Sequence, residues 1–462
     1  MSNGALPDYV SMAKPNPAAN RAPWYKNTAP TYAGIFLWFV FWSQAPSGGG
    51  ASPGGVLSQG VGVALLGLVV AALLCHALFY MVPGLLGLKT GLPLYVVGTS
   101  TYGVQGGFLM PGFLMGVLQF GWLGVNAYFA SLALAPLFGG SAAAAKVIAV
   151  IWAAVAAFVG LKGIQYVAKI ATFLPLIPLV ILLIMLAKTI GGIGDFNADA
   201  LIAAGTVKGG AAAGLSFIGV IALSITFVVG FFATAGAAGV DFGTNSKDEK
   251  DVQMGGLIGI ALATIVAAGA AILIAAGAFG KSGTYAMNPA DPGFMGGIMG
   301  SPGAGKTMGL LLAIAAFPPA CFSSFIAANS FKTTLPKVNP FISVSIGAAV
   351  SIILAVTGWA GQAGAVFTVI GASFGPVCGA MMVDYLLAGK KWAGPRAGWN
   401  MAGWISWAVG FVVGILPLVS SVKIPAAPLM AFIVGAVLYF ILAKAGMESK
   451  VLEMAAAPAE KD

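Results

Sequence analysis

Apolar runs of about 20 residues, separated by short polar or glycine- and proline-rich segments, recur along all 462 residues of the chain. No Asp, Glu, Lys or Arg occurs between Lys26 and Lys89, or between Lys89 and Lys146. In lipid a helix pairs its own backbone groups within one segment, so the pattern predicts an all-α membrane protein rather than barrel strands. Twelve transmembrane helices are expected, centred near residues 43, 71, 120, 156, 178, 228, 266, 319, 350, 375, 410 and 434.

Two of these spans differ from the rest. The first carries WSQAPSGGGASPGG, residues 42–55, and the sixth carries GFFATAGAAGVDFG, residues 230–243, with Gly230, Gly236 and Gly239 ahead of Asp241. Glycine and proline both weaken a helix interior. Isolated small residues in a membrane helix serve close packing equally well, but GGG followed by PGG exceeds what packing needs. Interrupted spans at positions one and six predict an inverted five-helix repeat with discontinuous helices 1 and 6, whose freed backbone groups meet near the midplane to make a site.

Composition agrees. The chain is 59% hydrophobic and 8% charged, with a mean hydropathy of +0.96, far too little polar surface for a water-soluble globule of this size. The formal charge of +9 would suggest nucleic acid in a soluble protein, but here the basic residues sit in short inter-span segments and report orientation. With both termini in the cytoplasm, the inner segments hold Lys14, Arg21, Lys26, Lys89, Lys162, Lys169, Lys247, Lys250, Lys332, Lys337, Lys390, Lys391, Arg396, Lys444, Lys450 and Lys461. The outer ones hold Lys146, Lys188, Lys208, Lys281, Lys306 and Lys423, which divides the 22 basic residues 16 to 6. The first thirty residues are polar and lack an apolar h-region, so no signal peptide is expected. Cys75, Cys321 and Cys378 lie in apolar runs at no metal-ligand spacing and read as buried small hydrophobes.

One motif is refused on physical grounds. GSPGAGKT, residues 300–307, satisfies the Walker A pattern with Gly300, Gly305, Lys306 and Thr307. That loop needs a strand before it and an acidic residue for magnesium on a neighbouring strand. Here a loop precedes it, an apolar span follows, and the topology puts it outside the cell, so a glycine-rich turn carrying a lysine is expected, and no enzyme.

Several side chains could line a transport site. Trp122 and Asn126 lie four residues apart, on one helical face, and an aromatic plane beside an amide suits a flat, hydrogen-bonding solute; a place in an interfacial aromatic belt is the other use of Trp122. Ala320, Ser323 and Ser324 share a face of span eight just after Pro318 and Pro319, which are expected to interrupt the helix, with Asn329 about 9 Å further along the axis. Small oxygen-bearing groups suit a hard monovalent cation, although serines also bond back to their own helix. His76, the only histidine, has no carboxylate nearby in sequence and reads as a neutral packed residue rather than a proton relay. Asp241 and Asp384 fall at cytoplasmic helix ends, where a structural use is expected.

Taken together, FVFWSQAPSGGG in span one, KTGLP and TYGVQGG before span three, GWLGVNAYFA within it, ATAGAAGVDF in span six, SSFIAAN in span eight and FGPVCGAMMVDY in span ten resemble the nucleobase:cation symporter-1 transporters, which include cytosine permease and the hydantoin transporter. The resemblance runs from about residue 23 to the end of span ten. It implies the fold of the sodium-coupled amino-acid transporters, ten core helices plus two, and uptake of nucleobases or related heterocycles driven by sodium or protons. It implies substrate contacts at Ser43, Gln44, Trp122, Asn126, Phe232 and Asn329, with the flat substrate held between Trp122 and Phe232. It also implies a sodium site built from Trp38, Trp42, Ala320, Ser323 and Ser324. Asn126 stands where one relative has a longer glutamine and Phe232 where it has a tryptophan, so a pocket shaped for another ring is expected.

The chain is therefore expected to be a secondary active transporter of the cytoplasmic (inner) membrane that imports a neutral heterocycle by symport with Na+ (or H+), using no organic cofactor and binding no nucleic acid. Its expected organisation is a cytoplasmic tail over 1–30, a ten-helix core over 31–395, two additional helices over 396–446 and a second cytoplasmic tail over 447–462. The rival readings are a sodium-coupled amino-acid or vitamin transporter on the same scaffold, and an ATP-driven protein using the glycine-rich loop.

Overall fold

The structure is a computed structural model of the chain and describes residues 6–50, 52–162, 164–171, 173–206 and 213–454, apart from the side chains of residues 164, 166, 168 and 170. Lys208, Lys461 and the ends of both expected tails lie outside the described residues. Among the described residues, ten helices are long and apolar enough to cross a membrane: Val61–Thr90, Thr99–Phe138, Ala142–Lys162, Leu176–Asp195, Phe217–Ala237, Glu249–Ser282, Pro302–Thr334, Ala363–Leu387, Met401–Val419 and Ala427–Lys444. In chain order these are spans two to eight and ten to twelve of the expected set. Span nine falls on Pro340–Val356, an apolar helix of 17 residues. Span one falls on two half-helices, Thr28–Phe36 and Phe39–Gln44. The chain is thus a multi-pass, all-helical membrane protein, and its only β structure among the described residues is two isolated bridges.

Several helix starts carry side-chain caps of the expected chemistry. Ser216 accepts from the Gly219 N–H at 3.2 Å, Asp248 from Asp251 at 2.8 Å, Asp291 from Phe294 at 2.8 Å and Asn339 from Phe341 at 2.9 Å. Each satisfies an N–H that the first turn leaves free. Span ten is the most enclosed of the long helices and span four the least.

The interruption of span one lies upstream of the glycines. The chain leaves the helix at Leu37 and Trp38, where Trp38 has φ −60° and ψ 122°, and Phe39–Gln44 resumes it. The glycine-rich stretch instead forms the turn after the second half-helix, with Gly48, Gly49, Gly54 and Gly55 all at positive φ, a region open to glycine at little cost. This turn docks on the start of span ten, where Gly364 N donates to Gly49 O at 3.0 Å.

Span six is interrupted only late in its glycine-rich stretch. It runs continuously from Phe217 through Gly230 and Gly236 to Ala237, and turns at Ala238 before the short helix Gly239–Gly243. Gly230 serves close packing: a Cβ there would come within 2.5 Å of the Phe367 carbonyl oxygen of span ten. Span eight likewise runs through Pro318 and Pro319 as one helix, Pro302–Thr334, so the expected interruption before the serines does not occur.

Spans two and seven, the second helices of the two five-helix halves, each contain one wide π turn, at Cys75–Tyr80 and Leu257–Leu262. His76 lies in the first of these, its ring stacked against Tyr80 at 6.3 Å. All three cysteines are free and buried.

The described parts of both tails are tied to one end of the bundle. Asn16 N donates to Gly91 O at 2.9 Å, Ala22 N to Asn245 O at 2.8 Å, and the Tyr9 hydroxyl to Val104 O. At the other terminus Leu452 N donates to Pro395 O at 2.7 Å and Ala397 N to Lys450 O at 2.9 Å, while Val104 N donates to Arg396 O at 2.7 Å. The TYGVQGG segment thus bonds the N-terminal tail directly and the C-terminal tail through the 395–397 loop, and its Gly103 has φ +82° and no room for a Cβ beside the Gly398 carbonyl.

Candidate functional site

Trp122 and Asn126 share a face of Leu114–Leu134, the main helix of span three. The Trp122 ring is enclosed by three others: Phe231 of span six at 5.2 Å and 81°, Phe367 of span ten at 5.4 Å and 37°, and Trp38 of span one at 5.8 Å and 67°. Trp38 also lies 6.1 Å from Phe231. The Trp122 indole donates to Thr234 Oγ1 of span six at 3.3 Å. Four helices therefore contribute one aromatic wall each, and edge-to-face and tilted pairs of this kind present both ring faces and ring edges. The box meets span one at its interruption, because Trp38 is the residue between the two half-helices.

The other expected substrate contacts are placed differently. Phe232 does not form the wall opposite Trp122; one residue on from Phe231, and so turned by about 100° around the helix, it stacks on Phe36 at 5.6 Å and 21° and is fully buried. Asn126 is buried and already engaged: its Nδ2 donates to Ala316 O at 2.8 Å, and its Oδ1 accepts from the Trp152 indole at 2.7 Å. Ser43 is buried with its hydroxyl turned to Val40 O at 3.5 Å, and Gln44 is half-buried at the end of the second half-helix. Asn329 is exposed and so takes no part in the enclosed box.

For the cation candidates, Trp38 O accepts from Phe41 N at 3.0 Å and Trp42 O from Ala45 N at 3.3 Å, which leaves each carbonyl one lone pair. Ser323 Oγ donates back to Pro319 O at 3.2 Å. Ser324 Oγ is buried with no hydrogen-bond partner, and its Cβ lies close to Gly160 of span four. Ala320 is fully buried. Among the described residues no hydrogen bond joins span one to span eight. Hard oxygen donors of this kind fit a monovalent cation, and no cluster of His, Cys, Asp or Glu suited to a metal ion occurs among the described residues.

The glycine-rich motif is a helix start rather than the expected turn: only Gly300 and Ser301 lie outside helices, and Pro302 to Thr307 form the first turns of Pro302–Thr334. A helix, Pro292–Met299, precedes it, Ser301 caps the long apolar helix that follows, and Lys306 is exposed. Both acidic residues flagged at helix ends are structural: Asp241 Oδ1 accepts from Leu94 N at 2.9 Å, and Asp384 joins a buried network around Arg396.

Phe231, Phe367 and Thr234 were not anticipated. Phe231 is indistinguishable by type from its neighbour, and only the helix phase selects it. Phe367 belongs to no motif and reaches the box because Gly230 lets spans six and ten approach closely.

Residues 58–443 match the family described as permeases for cytosine/purines, uracil, thiamine and allantoin; span one precedes the matched region. Among solved structures, Mhp1, a nucleobase-cation-symport-1 family transporter, in its closed conformation with bromovinylhydantoin bound, aligns with a TM-score of 0.63 at 17% identity, over 94% of this chain and 97% of its own. Inward-facing Mhp1 aligns at 0.65 and 18%, over 97% of each chain. A Na+-coupled sialic acid symporter in a substrate-bound outward-open state aligns at 0.55 and 14%, over 96% of this chain and 93% of its own. These likenesses establish the fold. No curated protein matches the sequence at a significant level.

Proposed function

The chain belongs to the family of permeases for cytosine/purines, uracil, thiamine and allantoin, and from that premise we propose that it imports a neutral, flat heterocycle of nucleobase type by symport with sodium, through alternating access. The observation that carries this reading is the four-ring box of Trp38, Trp122, Phe231 and Phe367 at the interruption of span one. Its rings and its polar neighbours Thr234 and Asn126 are all uncharged, which favours a neutral solute, since a charged one would want a buried counter-charge. Stacking on such rings contributes about 1–3 kcal/mol per base. Sodium is favoured because the unpartnered Ser324 hydroxyl and the span-one carbonyls offer hard oxygens rather than a titrating acid.

The same reading places the protein in the cytoplasmic membrane with both termini inside. It is supported by the 16 to 6 division of basic residues and by the attachment of the N-terminal tail to Val104 and of the C-terminal tail to the 395–397 loop that Val104 also bonds. The proposed transport unit is residues 31–395, with 396–446 as two added helices between the tails 1–30 and 447–462.

The test is a binding and uptake panel of nucleobases, nucleosides, hydantoins and amino acids on reconstituted protein, with and without sodium. Uptake of one neutral heterocycle, driven by an inward sodium gradient, is the expected result. Uptake of an amino acid instead, or indifference to every heterocycle, would overturn the reading.

A further inference from the structure

Trp38 is anomalous among the indoles around the core. The Trp42 indole donates to Leu37 O, Trp122 to Thr234, Trp152 to Asn126, Trp392 to Val97 O and Trp407 to Ser373 O. Trp38 Nε1 is buried and has no partner, although the residue is only 8% exposed. A buried N–H forfeits its bonds to water, and native structures leave few such donors unpaired without a reason. Trp404 shares the condition, but it packs among Tyr102, Trp399 and Trp407, away from the four-ring box.

The position of Trp38 supplies a reason. It stands between the half-helices of span one, in a conformation no helix imposes, with its ring against Trp122 and Phe231. The amide that would otherwise read the edge of a flat solute, Asn126, is held on both sides by Ala316 O and the Trp152 indole. An indole N–H only donates, so its missing partner must be an acceptor.

We propose that Trp38 Nε1 donates a hydrogen bond to an in-plane acceptor of the transported heterocycle, a carbonyl oxygen or an unprotonated ring nitrogen, and so makes Trp38 a specificity-determining residue. This rests on the nucleobase reading above and narrows it to heterocycles that present an acceptor on the edge facing span one. A site with a donor built to meet a substrate acceptor discriminates strongly against analogues that lack it, because the donor is then left buried and unpaired.

The experiment measures equilibrium binding to the purified full-length protein of the nucleobase that binds tightest. Its analogues follow, with each ring-nitrogen acceptor replaced in turn by C–H and each carbonyl oxygen by sulfur, a poorer acceptor. Trp38→Phe keeps an aromatic ring in place but removes the donor together with part of the indole surface, so the comparison among analogues, not the loss for the parent alone, isolates the hydrogen bond. The variant should weaken the parent base at least tenfold, and the loss should shrink below about threefold for the one analogue whose replaced acceptor is the partner. Equal weakening of every analogue, or no weakening of the parent, would overturn the proposal. Trp122→Ala, measured alongside, separates the two layers. If it leaves nucleobase binding intact, or if wild-type protein binds no nucleobase, the transport-site reading fails and this inference with it. If Trp122→Ala abolishes binding while Trp38→Phe does not discriminate among the analogues, only the hydrogen-bond assignment fails. Unchanged thermal unfolding of Trp38→Phe guards against misfolding, and Trp38→Leu, which also lacks a donor, serves as a second variant if the phenylalanine form is unstable.

Discussion

Arg396 Nη1 lies 2.7 Å from Asp384 Oδ1, with the two side chains 7% and 4% exposed, so an ion pair locks the end of span ten to the loop before span eleven. Burial disfavours the Arg396 cation, and Asp384, Tyr439 and Glu448 around it together more than offset this, holding its pKa above the ordinary value. The pair is well satisfied: Asp384 also accepts from Ser100 at 2.5 Å, Thr101 at 3.2 Å and Tyr439 at 3.1 Å, and Arg396 Nη2 reaches Glu448 of the C-terminal segment at 2.8 Å.

Removing one partner would strand the other charge, at a cost of about 3–5 kcal/mol. Arg396→Met should therefore lower the thermal midpoint of the purified protein sharply, and the double change Arg396→Met with Asp384→Asn should recover part of it. An unshifted midpoint for the single variant would show that the pair contributes little.

The ring box makes a prediction that turns on helix phase. Trp122→Ala and Phe231→Ala should each weaken nucleobase binding about tenfold or more, at about 1.4 kcal/mol per decade. Phe232→Ala should act on stability instead, costing about 3–5 kcal/mol as a buried phenylalanine, with little change in the Kd of the protein that remains folded. Titration calorimetry beside thermal unfolding distinguishes the two residues.

Sodium should tighten substrate binding if the two share one conformational state, because such coupling is reciprocal. Ser323→Ala with Ser324→Ala is expected to erase that dependence. Both hydroxyl oxygens remain open to a cation, because Ser323 gives only its proton to Pro319 O and keeps its lone pairs. Binding that ignores sodium in the wild type would redirect attention to protons.

The glycine-rich loop should be silent in transport. Lys306→Ala is expected to leave uptake unchanged, whereas collapse of the cation gradient should abolish it. A Lys306 variant that loses uptake while still folding would revive a role for that loop.

Much of the architecture is legible in the sequence because the bilayer simplifies the problem. A segment that must hydrogen-bond to itself in hydrocarbon becomes a helix wherever it is long and apolar enough, and the positions of Val61–Thr90, Ala363–Leu387 and the other long helices follow from hydropathy. The refusal of the Walker-like loop rests on the same logic, since an apolar run after Thr307 cannot be the soluble helix a nucleotide site requires. The ordered family motifs, from GWLGVNAYFA to FGPVCGAMMVDY, likewise belong to the sequence alone, and they carry the family assignment.

The tertiary structure decided what the glycines do and which aromatic side chains meet. Glycine lowers the cost of leaving a helix without requiring it, so Gly230 stays helical and gives proximity to Phe367, while the break in span one falls at Trp38, next to no glycine. Phe231 and Phe232 are equivalent as residue types and differ only by the turn of one helical step, a rotation fixed by the packing of span six against spans three and ten. Composition sets which segments enter the membrane; only the contacts between them settle where a helix opens and which side chains meet there.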